Sequence, residues 1–117
     1  MIIPELMAFD CLDHDPIEQW IPDSDAEVDY RLCLHVGQPD SEACDLFYVR
    51  VTTPEAIGAH HPGTSVGKRR IVVNPYSWES VLEAIQATLA RCAGEGWSQQ
   101  SALLAEHFDW EFEGYRP

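Results

Sequence analysis

The sequence predicts an α+β fold: an antiparallel sheet of four to five strands with two C-terminal helices packed on one face. Three observations carry this expectation. Residues 28–36 and 44–52 alternate apolar and polar side chains with a period of two, the mark of half-buried strands. Residues 78–92 place Trp78, Val81, Leu82, Ile85, Leu89 and Cys92 at spacings of three and four, the stripe of an amphipathic helix. The order of elements lacks the regular strand–helix alternation of a doubly wound sheet. A chain of 117 residues, 45% of them apolar, fits one domain with a core that needs no disulfide or metal.

Residues 2–12 supply a first strand, and Pro4 places it at a sheet edge, where a missing amide is tolerated. Residues 13–26 (DHDPIEQWIPDSDA) read as a long irregular acidic loop, because Pro16, Pro22 and the Asp/Ser cluster oppose regular structure. In the next strand Val28, Tyr30, Leu32, Leu34 and Val36 alternate with Asp29, Arg31, Cys33 and His35. After the turn GQPDSEA comes CDLFYVRVT, with Phe47, Val49 and Val51 on one face and Leu46, Tyr48 and Arg50 on the other; the short link predicts an antiparallel hairpin. Thr53-Pro54-Glu55 is a helix start: a capping hydroxyl, then proline at the first helical position, then an acid at the positive end of the dipole. Gly58, Pro62, Gly63 and Gly67 keep that helix short, and residues 69–74 (RRIVVN) give another strand. Ser77 is the expected cap of the striped helix, Gly94 its left-handed terminator, and Ser98 the cap of a second helix holding Ala102, Leu103, Leu104 and Phe108. The ending HFDWEFEGYRP alternates Phe108, Trp110 and Phe112 with Asp109, Glu111 and Glu113. A terminal strand with the aromatics inward and the acids outward is the preferred reading, beside a helical one through Leu104, Phe108, Phe112 and Tyr115.

Charge is the most informative feature of composition. There are 20 acidic residues against 7 basic ones, a net of −13, and eight acids fall between Asp10 and Asp29 without one Lys or Arg. Such a field repels phosphate and argues against nucleic-acid binding; it draws cationic partners and speeds their association. Solubility alone is the plainer account of the same charge. No segment has the roughly 18 consecutive apolar residues of a membrane span. The N-terminus lacks the basic region of a signal peptide, so the expected location is the cytoplasm. Cys11, Cys33, Cys44 and Cys92 form no C-x-x-C pair and are expected to be reduced.

No catalytic constellation stands out. His60-His61 is the most conspicuous pair, but adjacent histidines rarely chelate one metal, and a catalytic zinc site takes three protein ligands. His35 or Cys33 would have to join them, and no spacing requires it. GTSVGK at 63–68 lacks the spacing and the Ser/Thr of a phosphate loop and leads into a strand. Lys68-Arg69-Arg70 reads as a solvated strand entry. Acid pairs such as Asp13/Asp15 or Glu111/Glu113 arise by chance among so many carboxylates. No enzyme activity, cofactor or metal is therefore expected; a small metal-dependent hydrolase using His60 and His61, and a generic adaptor, are the alternatives.

Several stretches occur together: an acidic, Trp-containing N-terminal section, FYVRVTTPEAIG joining a strand to a proline-started helix, RRIVVNPYSWESVLEAIQATLARC, and GEGWSQQSALLAEHFDWEFEGY. Over residues 6–115 the chain resembles the immunity protein 8 family of bacterial polymorphic-toxin systems, most specifically at Thr53-Pro54-Glu55, Trp97 and Trp110-Glu111-Phe112. The resemblance implies a non-enzymatic inhibitor that binds a toxin made beside it. A nuclease toxin must be cationic around its cleft, and a preformed carboxylate surface suits its capture. Asp13, Asp15, Glu18, Asp23, Asp25 and Glu27 are the expected contact acids. Trp20, in their midst, would either anchor the partner or fold back to close the end of the sheet.

Overall fold

The computed structural model describes residues 1–56 and 70–112. Among them five strands form one sheet: β1 (Glu5–Asp10), β2 (Asp29–Gly37), β3 (Cys44–Thr52), β4 (Arg70–Val72) and β5 (Asp109–Trp110). Two helices, α1 (Trp78–Ala90) and α2 (Trp97–Leu104), lie between β4 and β5 in the chain. The sheet order is β1-β2-β3-β4, with β5 also on β3. The hairpin β2–β3 is the spine, in unbroken register from Asp29↔Thr52 to Gly37↔Cys44. β1 is an edge strand as Pro4 suggested, with a register shift between Leu6 and Ala8.

Among the described residues all strand pairings are antiparallel except β3–β4, which is parallel. The free edge of β3 is thus shared, by β4 at Arg50–Thr52 and by β5 at Phe47–Tyr48. A parallel neighbour requires a crossover, which must fall between Thr52 and Arg70. The helical start at 54–56 lies on it, and the Thr53 hydroxyl accepts the Ala56 amide at 3.4 Å, as its capping role predicts. His60, His61 and Lys68-Arg69 lie outside the described residues.

The core forms between the sheet and the helices. Tyr30, Leu32, Leu34 and Val36 from β2 and Phe47, Val49 and Val51 from β3 are buried with Val81, Ile85, Leu89, Leu104 and Phe108. The periodicity of β2, β3 and α1 therefore reads into their inward faces, whereas α2 departs from its expected apolar set: it buries Gln100, Ser101 and Leu104, and Ala102 is exposed. Ser77 caps α1 by accepting the Ser80 amide at 3.1 Å. Two expected helix ends differ. α1 ends through Arg91 in the right-handed region, and Gly94 instead forms a two-way bridge with Ile2 (2.8 and 3.0 Å), sewing the N-terminus to the helix pair. α2 begins one residue before the expected Ser98 cap; Gly96 holds the cap position without a side-chain bond, and Trp97 is the first helical residue.

The tail is a strand, but a shorter one than its alternation suggested. Phe108 is buried and Trp110 stacks on Phe47 at 6.1 Å, whereas Phe112 is 46% exposed. Pairing lasts two residues because the chain turns at 111–112, and Phe112 meets Trp110 edge to face at 5.7 Å. Glu111 does not simply face water: its amide donates to the Leu46 carbonyl and its carboxylate accepts the Leu46 amide. Glu113 and Tyr115 lie outside the described residues. Among the described residues no helix is long and apolar enough to cross a membrane, and all four cysteines are free thiols.

Candidate functional site

The acidic loop between β1 and β2 is irregular but tightly pinned. Cys11, Ile17 and Val28 are buried along it, and Ile17–Gln19 forms a single 3-10 turn that drives Ile17 into the core. Its exit is fixed by Thr53, whose hydroxyl donates to the Ala26 carbonyl at 2.6 Å and accepts the Val28 amide at 3.2 Å. The Tyr76 amide donates to the Asp25 carbonyl at 2.8 Å, tying the loop to the segment before α1.

Trp20 takes the second of its two expected positions, folded back against the end of the sheet. Its ring stacks on His14 at 3.8 Å and meets the edges of Tyr30 and Tyr76 at 5.8 and 5.6 Å. Beneath it the Tyr30 and Tyr76 hydroxyls share a 2.9 Å hydrogen bond. Burial, reinforced by that bond, pushes the Tyr30 phenol far above its ordinary range; burial also raises Tyr76. An aromatic cluster with a satisfied polar centre thus supports the loop from below.

This foundation leaves the acids free. Asp13, Asp15, Glu18, Asp23, Asp25 and Glu27 are all exposed. Two residues that sequence reasoning passed over stand among them: Leu12 is 100% exposed and Ile21 is 85% exposed. Neither belongs to a periodic pattern, so only the contrast of an aliphatic side chain within CLDHD or QWIPDSD signals it. Ile21 borders a hollow of about 540 Å³ with Asp23, Asp25 and Tyr76. Leu12 and Asp13 border another, of about 500 Å³, on the face of the sheet opposite α1 and α2.

That second hollow holds a mixed set of side chains. The His35 Nε2 lies 2.8 Å from an Asp10 carboxylate oxygen, and the Cys33 thiol is close to both. Arg31 sits over the Tyr48 ring at 4.5 Å; outside the hollow, Arg50 forms a two-point ion pair with Asp29. Burial first, then the Asp10 charge, pushes the Cys33 thiol up. A nucleophilic cysteine needs the opposite shift, so the trio is not arranged for thiol catalysis.

Exposed aliphatic side chains among carboxylates, on a loop pinned from below, combine the apolar and charged groups that protein interfaces use. No curated protein and no solved structure matches the chain. A protein-family model described as Immunity protein 8 matches residues 5–115.

Proposed function

Since the chain belongs to the immunity protein 8 family, we propose that it binds and neutralises a cognate bacterial toxin as a non-enzymatic inhibitor in the cytoplasm of the producing cell. Its target is a cationic, nuclease-type effector of a polymorphic-toxin system. Asp13, Asp15, Glu18, Asp23, Asp25 and Glu27 steer and orient that partner, while Leu12 and Ile21 insert as apolar anchors. Trp20 contributes by holding the loop rigid and by the part of its ring that remains accessible. The observation that supports this reading is the exposure of Leu12 and Ile21 among carboxylates on a loop whose aromatic underside is packed. A preformed surface loses little conformational entropy on binding, which favours affinity.

The test uses the protein encoded in the adjacent reading frame. The chain is expected to bind it stoichiometrically and abolish its toxicity. Truncating Leu12 and Ile21 to alanine together should weaken binding by about 10–1,000-fold, the range of interface anchors. Charge reversal at Asp13, Asp15, Glu18, Asp23 and Asp25 should slow association. Affinity indifferent to both sets would refute the surface, and a neighbour that is neither toxic nor bound would refute the function.

A further inference from the structure

We propose that Asp10, Cys33 and His35 form a binding site for a divalent cation of the zinc class on the face of the sheet opposite α1 and α2. The site goes beyond the toxin-binding reading and rests on separate residues. Cys33 and His35 are two apart on β2 and so project from the same face. Asp10 lies directly across from Cys33 in the β1–β2 register. The carboxylate, thiol and imidazole donor atoms all lie within 4.8 Å of one another. Metal bonds of 2.0–2.3 Å in a tetrahedron give donor–donor edges of about 3.3–3.8 Å. The His35–Asp10 pair, at 2.8 Å, must open slightly and no pair needs to close by more than about 1.5 Å, adjustments that side-chain rotation supplies, since His35 and Asp10 are 30% and 54% exposed.

The donor set selects the ion. One sulfur, one imidazole nitrogen and one carboxylate oxygen suit zinc and its neighbours, whereas magnesium and calcium prefer all-oxygen shells. A thiolate and a carboxylate cancel the charge of a divalent ion, so the loaded site is neutral. Tyr48 flanks the thiol, and Arg31 is drawn aside over the Tyr48 ring. Three protein ligands leave a fourth position facing the hollow bordered by Leu12 and Leu46. Water, or a donor side chain from a bound protein, would complete it.

Tag-free, reduced protein titrated with Co2+ tests the site. One equivalent should produce a thiolate-to-cobalt charge-transfer band with the visible bands of tetrahedral cobalt, and Zn2+ should displace it. Cys33→Ser should remove the charge-transfer band. Asp10→Asn and His35→Gln should each weaken binding by at least about 10–100-fold, and Asp10 is exposed enough for its variant to fold. Cys44→Ser, at an exposed thiol, and a His60→Gln/His61→Gln double variant should leave the spectrum intact. Absence of a stoichiometric band in the wild-type protein overturns the proposal. So does a band that survives Cys33→Ser and disappears in either control.

Discussion

Tyr30 and Tyr76 meet hydroxyl to hydroxyl at 2.9 Å beneath Trp20, and this pair should govern the response of the protein to alkali. The ordinary tyrosine value is 10.0, and burial followed by the Tyr76 bond holds Tyr30 well above it in the folded chain. Below pH 10 both folded and unfolded chains keep the proton, and the contribution of the buried pair to stability is complete. Above it the unfolded chain releases the proton while the folded chain retains it. Unfolding then gains free energy, at most about 1.4 kcal/mol per pH unit for Tyr30. Stability should therefore decline as pH rises from about 9 to about 11. Tyr30→Phe cannot titrate, so the variant should show a shallower decline when urea midpoints are compared across that range. Equal slopes would mean that the phenol is not held neutral by the fold.

Strand β5 is held to β3 by fewer backbone contacts than its aromatic content suggests, and a single carboxylate compensates. The indole N–H groups of Trp97, at the start of α2, and of Trp110, in β5, both donate to the same Asp45 oxygen, at 3.2 and 3.0 Å. Asp45 thus joins β3, α2 and the tail in one contact. Asp45→Ala should cost about 1–3 kcal/mol, because two half-buried donors lose their acceptor, and Asp45→Asn should cost less by keeping an oxygen in place. Urea unfolding measures both, and a loss below about 0.5 kcal/mol for Asp45→Ala would show that water replaces the carboxylate without penalty. This clasp was only half legible in the sequence. The inward alternation of Phe108 and Trp110 could be read locally, as could the α1 stripe and the β2–β3 hairpin, because each depends on near neighbours in the chain. The shared acceptor joins positions 45, 97 and 110, and no local pattern encodes such a meeting. The same reason hid the parallel pairing of β4 and the meeting of Asp10 with Cys33 and His35, both decided by how strands line up across the sheet. Among the expected contact residues, the exposure of the acids followed from charge, whereas Trp20 was divided between two fates that only the position of Tyr30 and Tyr76 separates.

For the molecule as a whole, eight of the 20 acids fall between Asp10 and Asp29, in β1, its following loop and the first residue of β2, with no Lys or Arg among them. A charge set of that kind acts over a Debye length, about 10 Å at 0.1 M salt and about 3 Å at 1 M. It therefore influences diffusional encounter much more than the contacts of the final complex. Exposed rim charges alter the association rate, and desolvated anchors alter the dissociation rate. If the acidic loop captures a cationic toxin, raising salt from about 0.05 M to about 0.5 M should slow association by about tenfold or more and leave dissociation nearly unchanged. Leu12→Ala and Ile21→Ala should do the reverse, hastening dissociation while preserving the association rate and its salt dependence. Surface-bound kinetics of the chain with the adjacent-gene product separate the two effects in one experiment. An association rate indifferent to salt would assign the negative charge to solubility alone. A salt effect confined to dissociation would mean that the carboxylates lie in the desolvated centre of the interface, with Leu12 and Ile21 outside it.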